Sequence, residues 1–196
     1  MKDITEADFA DAANLLGCDV ATIKAVCAVE APRGGFLDDG RPVVLFEGHK
    51  FSRMTGGRFD RLHPTISYPS WTRAHYAKGA TSAIRMAGEW ARLAQAVALD
   101  RDAALKSASW GRFQIMGFNH DACGFDSVQA FVNAMYMNEG AHLKAFVMLV
   151  KNWGIDDELR HRDWAAFARR YNGPAYEQNA YDTRLAAAYE QNRSVA

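Results

Sequence analysis

The sequence predicts an α+β fold, mostly α, with one small β-hairpin. Three observations carry that prediction. Apolar residues recur three and four apart along most of the 196 residues, in runs opened by capping residues. One stretch, residues 41–51 (RPVVLFEGHKF), alternates with a period of two behind an Asp-Gly turn. No internal repeat, low-complexity tract or linker interrupts the chain, so residues 1–196 read as one domain.

Taken in order, Thr5 with Asp8 forms a capping-box pattern, and Phe9, Ala12, Ala13 and Leu16 make a stripe that ends at Gly17. Asp19 caps a second helix whose apolar face runs through Val20, Ile23, Val26 and Cys27 to Glu30. Pro32 and the Gly34-Gly35 pair stop it there. Residues 35–37, the Asp38-Asp39-Gly40 turn and residues 41–51 read as the hairpin, with Val43, Leu45, Glu47 and His49 on one strand face. Residues 52–78, rich in Gly, Pro, Ser and His, read as a long loop of the kind that is usually functional. Helical spacing returns over 81–99, with Ile84, Ala87, Trp90, Ala91, Ala94 and Val97 as the stripe, and over 100–106. A turn-containing segment spans 107–119. Helices follow from Asp126, boxed with Gln129, through Met137, and from about Gly140 to Asn152. The last two run from Asp163 to the Asn172-Gly173-Pro174 stop, and through Tyr181, Leu185 and Tyr189.

Charge is balanced overall but unevenly placed. Residues 1–40 hold eight acids against three bases, whereas residues 41–92 hold nine bases against three acids. The basic middle suits either an anionic polymer, such as a cell wall or nucleic acid, or ordinary solvated surface. No nucleic-acid motif accompanies it, so no nucleic-acid partner is expected. Three cysteines without a CxxC pair read as free, mostly buried thiols from a reducing compartment. The acidic N-terminus has no apolar core of a signal peptide, and no stretch reaches membrane-spanning length. The histidines lack ligand spacing and no H-E-x-x-H occurs, which argues against a zinc hydrolase; no metal or cofactor is expected.

Chemistry concentrates in three stretches. Glu30 closes a core-facing helix, where desolvation and the negative end of the helix dipole both disfavour its charged form. That environment makes a general acid that stays protonated near neutral pH, although a structural glutamate paired with an arginine such as Arg33 fits the same position. In residues 107–117 (SASWGRFQIMG), small residues allow tight backbone while Ser109 and Gln114 offer hydrogen bonds. In residues 169–173 (RRYNG), Tyr171 and Asn172 stand at a helix end. Trp71, in the polar loop, can stack on a sugar or anchor the loop.

These stretches carry a resemblance. Ser109-x-Gly111-x-x-Gln114-Ile115 is similar to the S-x-G-x-x-Q-[IV] segment of goose-type lysozymes and soluble lytic transglycosylases, and Tyr171-Asn172-Gly173 to their Y-N-[AG] element. The helix ending in Val29-Glu30, the GRP-x-x-LFE-x-H-x-F run from Gly40 to Phe51, SWG-x-FQIMG and RYNGP-x-Y together resemble the N-acetylmuramidase domain of phage endolysins. The likeness spans roughly Asp19 to Tyr189, and four motifs in order are far more specific than one.

The resemblance implies a lysozyme-like helical domain with its hairpin after the catalytic helix. It also implies cleavage of the β-1,4 bond between N-acetylmuramic acid and N-acetylglucosamine in bacterial peptidoglycan. Glu30 would be the general acid, with Ser109, Gln114, Tyr171 and Asn172 on the sugar; Trp71 and His49, from their own settings, are further substrate-binding candidates. Glycosidases commonly need a second carboxylate. Glu47, with His49 as neighbour, is favoured over Asp38 and Asp39, which also fit a turn. The gap between Glu30 and Ser109 is longer than in transglycosylases. A transglycosylase giving 1,6-anhydro ends, or a non-catalytic wall-binding module, would share these motifs. A monomer held in the host cytoplasm until release to the wall completes the expectation.

Overall fold

The computed structural model describes residues 2–173 and 176–194, with the side chain of Gln178 set aside. Pro174, part of the expected helix stop and of the RYNGP motif, lies outside the described residues. The chain is mostly helical with a small three-stranded antiparallel sheet, and it divides into two compact units, residues 1–34 with 138–196 and residues 35–137.

The first unit is all helix: α1 (Glu6–Leu16), α2 (Val20–Glu30), α7 (Glu139–Asn152), α8 (Asp156–His161), α9 (Trp164–Asn172) and α10 (Tyr181–Arg193). The Thr5–Asp8 capping box forms as read, and Gly17 closes α1 in the left-handed region at φ 70°. Helix α2 is buried on most sides, as a nearly all-apolar helix must be. It packs against α1 and α10, with Ile23, Val26 and Leu185 fully enclosed. Asp19 caps it by accepting from Thr22 N at 2.7 Å, and the same carboxylate accepts from the Tyr189 hydroxyl of α10 at 2.9 Å. Leu143, Phe146, Val147 and Val150 of α7 face inward as expected. Asn138 caps α7, so the helix begins at Glu139, one residue before the predicted start. Helix α8 was not expected; its three leading acids and the Arg160 pairs to Asp156 and Asp157 hold a short amphipathic turn with only Leu159 buried.

The second unit holds β1 (Val44–Phe46), α3 (Gly48–Met54), α4 (Ser82–Leu99), α5 (Arg101–Lys106), β2 (Ala108–Trp110), β3 (Ile115–Met116) and α6 (Val128–Met135). Here the sequence reading needs correction. The strand stops at Phe46, and Glu47 takes the N-cap position of α3. Residues 35–43 close as a small hairpin loop around the Gly40 turn, joined by the Phe36–Pro42 bridge and by 2.8 Å backbone bonds from Leu37 N to the Arg41 carbonyl and from Val43 N to the Gly35 carbonyl, without long strands. The real partner of β1 is β2, in register Val44 with Trp110 and Phe46 with Ala108, and the segment expected to be only turns supplies the hairpin β2–β3. Val44 and Phe46 are therefore the core side of β1, not Val43 and Leu45.

The buried side of α4 is also displaced. Glu89, Arg92, Leu93 and Ala96 face inward while Ile84 is exposed, because Glu89 and Arg92 compensate each other's charge at 2.8 Å and an apolar stripe misses such a pair. Ser127, not Asp126, caps α6. No single helix among the described residues is long and apolar enough to cross a membrane. Helices α1 and α2 pass that test only as a pair bent by 106°.

Candidate active site

The candidate residues fall into two groups, one in each unit. In the first, α2 delivers Glu30 to its C-terminal end, where the Ala31 N–H still bonds back to Cys27 and the next turn is broken before Pro32. Helix α9 ends at Asn172, and Gly173 follows at φ 84°, a conformation that suits glycine. The two helix ends meet: Asn172 Nδ2 donates to Glu30 Oε1 at 2.9 Å. Burial pushes the Glu30 carboxyl above the ordinary carboxylate range, against the smaller opposing effects of Asn172 and the Arg184 charge. Arg184 also donates to the Val29 carbonyl at 3.3 Å, which ties α10 to the last turn of α2. Arg33, the arginine singled out for a structural Glu30, is exposed, and the cation whose charge reaches Glu30 is Arg184. Tyr171 lies half-buried, its ring stacked on Phe167 and set edge-on to Phe146, so packing within the unit fixes its direction.

In the second unit Glu47 has two polar neighbours. The Tyr76 hydroxyl reaches both carboxylate oxygens of Glu47 at 2.8 Å. His49 Nδ1 lies 3.3 Å from Glu47 Oε2 without an aligned hydrogen bond. The contact arises because the first turn of α3 brings residues 47 and 49 together; no strand alternation is involved. Burial, with Lys50 and Arg53 nearby, holds the His49 pKa below its usual value despite Glu47, so the imidazole is neutral at neutral pH. The Glu47 side chain is 15% exposed, whereas Asp38 and Asp39 are exposed in the turn. Asp39 is tied to Arg41 by bonds of 2.6 and 2.9 Å, which lower its pKa. Of the three acids considered for a second carboxylate, Glu47 alone sits in a sheltered, hydrogen-bonded setting.

Ser109 Oγ donates to Gln114 Oε1 at 2.9 Å, and Gln114 Nε2 donates to the Gly111 carbonyl at 2.8 Å. Gly111 at φ 69° and Gln114 at φ 49° make the tight β2–β3 turn, so the small residues of this motif serve the turn and Gln114 is a strained non-glycine within it. Register places Ser109 opposite Leu45, and the ladder continues with Glu47 N to the Ser107 carbonyl at 3.0 Å. Alternation therefore puts Glu47 and Ser109 on the same side of the sheet. Trp71 is 58% exposed, with the Arg73 guanidinium 5.6 Å from its ring centre. A groove of about 300 Å³ on α4 and α6, lined by Trp90, Leu93, Val97, Trp110, Val132 and Tyr136, contains none of the candidate residues.

Sequence reasoning missed Tyr76, Glu89, Arg92 and Arg184. Tyr76 lies in the long loop without a motif of its own. The i,i+3 spacing of Glu89 and Arg92 inside an otherwise apolar helix was the signal available for that pair. Among the described residues no group of three His, Cys, Asp or Glu side chains is arranged to hold a metal ion.

The Muramidase family, described as N-acetylmuramidase, matches residues 19–193. The chain is also similar to a solved structure titled as that of Burkholderia AP3 phage endolysin. The two are 39% identical with a TM-score of 0.88, over 100% of this chain and 73% of the other. No curated protein matches.

Proposed function

The chain belongs to the N-acetylmuramidase family, has the mostly helical, lysozyme-like fold of that endolysin, and on that premise we propose that it hydrolyses the glycan strand of bacterial peptidoglycan. The bond is the β-1,4 link between N-acetylmuramic acid and N-acetylglucosamine. Glu30 is the general acid, protonating the leaving glycosidic oxygen as an oxocarbenium-like transition state forms. The observation that carries this is the Glu30 carboxyl itself, half-buried, raised in pKa by burial and oriented by Asn172. Such a group retains its proton where an exposed glutamate would have lost it.

Glu47 is the second carboxylate, oriented by the Tyr76 hydroxyl to stabilise positive charge or direct water. Ser109, Gln114, Tyr171, Asn172 and Trp71 bind the sugars and their acetamido groups, and His49 supports Glu47. The protein acts as a monomer and needs no cofactor. Its three free cysteines fit a protein kept in the reducing host cytoplasm until it is released to the wall.

Glu30→Gln is expected to fold normally and to clear sacculi at least about 10²-fold more slowly, the scale of general acid catalysis. Mass spectrometry of the parent's digest should show reducing muramic acid ends. Equal clearing by the variant removes Glu30 from the mechanism, and 1,6-anhydro ends replace hydrolysis with transglycosylation.

A further inference from the structure

We propose that Tyr76 is a positioning residue for Glu47, holding its carboxylate in place through one hydroxyl shared between both oxygens. The inference rests on the reading of Glu47 as the second carboxylate. Both contacts are 2.8 Å, so the hydroxyl faces the carboxylate midway between its oxygens, and a swing of the Glu47 side chain away from that point breaks at least one of them. Burial and the neighbouring Glu47 push the Tyr76 pKa up to about 12, which keeps it a donor throughout the working pH range.

The pair is not left to chance, because α4 holds both backbones that carry it. Glu89, 2% exposed, accepts from Ala77 N at 2.6 Å through Oε1 and from Phe46 N at 3.2 Å through Oε2. Ala77 follows Tyr76 and Phe46 precedes Glu47. Arg92 Nη1 completes the clamp, donating to Glu89 at 2.8 Å and to the Phe46 carbonyl at 3.1 Å. Its guanidinium lies over the rings of Phe46 and Tyr76, 5.3 and 5.9 Å from their centres. A buried ion pair is a poor source of stability, since an apolar pair of similar volume often serves as well or better. Its use here is to set two chain segments in register so that residues 76 and 47 meet.

The test is a double-mutant cycle on soluble, uncrosslinked glycan strands, with thermal midpoints measured alongside. Tyr76→Phe keeps the ring and removes the hydroxyl. It should lower kcat by about 10-fold or more while KM and the midpoint stay near the parent's. Added to Glu47→Gln, it should lower the residual rate no further, because a positioning residue has nothing left to position. Parental kcat in Tyr76→Phe overturns the inference, as does the same fold-loss in both backgrounds, which would mean that Tyr76 acts independently of Glu47. Parental activity in Glu47→Gln instead overturns the reading of Glu47 on which the inference rests.

Discussion

The carboxyl of Glu30 is the group on which the proposed chemistry turns, and its environment also bears on stability. Burial favours its neutral form in the folded chain, so the folded-state pKa lies above the unfolded one. A group shifted in that direction contributes stability that is fully present below its unfolded pKa and is lost as pH rises through the folded value. Glu30→Gln has no proton to lose, and its side-chain oxygen can still accept from Asn172. The variant should therefore match the parent near pH 4 and gain on it as pH rises past the ordinary carboxylate range of about 4.3. Thermal midpoints of both proteins across that range check this, and a gap that does not widen with pH would show that burial is not what perturbs Glu30. At the same scale, Asn172 has two jobs: it ends α9, as the sequence predicts, and it donates to Glu30, which only the structure reveals. Tyr171 beside it is directed by stacking on Phe167, so neighbours in the Tyr-Asn-Gly motif reach their positions by different forces.

Among the elements, the β2–β3 hairpin shows why its motif spaces glycines as it does. Gly111 supplies a positive φ for the turn, whereas Gly117 is required by packing. A methyl group at Gly117 would run into the Leu105 carbonyl and come within 3.1 Å of Lys106 Cα, both backbone atoms of α5 and its end. Backbone cannot rotate away as a side chain can. Gly117→Ala should thus cost at least about 1–3 kcal/mol, the usual range for overpacking, measured as a lowered denaturant midpoint with an unchanged m-value. Gly48 has a comparable constraint, since an added Cβ would strike the Tyr68 ring and sit 2.5 Å from the Ile66 carbonyl oxygen. Tyr68 thereby roofs the start of α3, next to Glu47. The long loop is likewise better tied than its composition implies: Asp60 accepts from Ser52 at 2.9 Å and from Ser67 at 2.5 Å, and Glu89 anchors Ala77.

For the molecule as a whole, the three thiols report on folding. Cys27 and Cys123 are buried and Cys18 is half-buried. Burial pushes Cys18 to about 11 and Cys123 to about 12, with Asp19 and Asp121 adding to it. Thiolate, not thiol, is the reactive form. A chromogenic disulfide reagent at pH 8 should accordingly label the native protein slowly and all three cysteines rapidly once denaturant is added. Rapid native labelling at Cys18 or Cys123 would contradict the burial described here. Both compact units contribute to this count, Cys18 and Cys27 from one and Cys123 from the other.

Local signals in the chain were enough to determine the helices around Asp19, Thr81 and Asp163, the capping box at Thr5 and the turn at Gly40, and to single out the acid, serine–glutamine and tyrosine–asparagine motifs as candidates. Each depends on residues within a few positions of one another, where spacing and capping chemistry suffice. Tertiary structure alone decided which strand pairs with β1, that Glu47 stands at the N-terminal end of a helix, and that Arg184 rather than Arg33 is the cation acting on Glu30. It also decided that Tyr76 closes on Glu47 and that α4 turns an ion pair inward. Those outcomes join residues far apart in the chain, and a periodicity that scores charge as surface has no means of predicting two buried charges that satisfy each other.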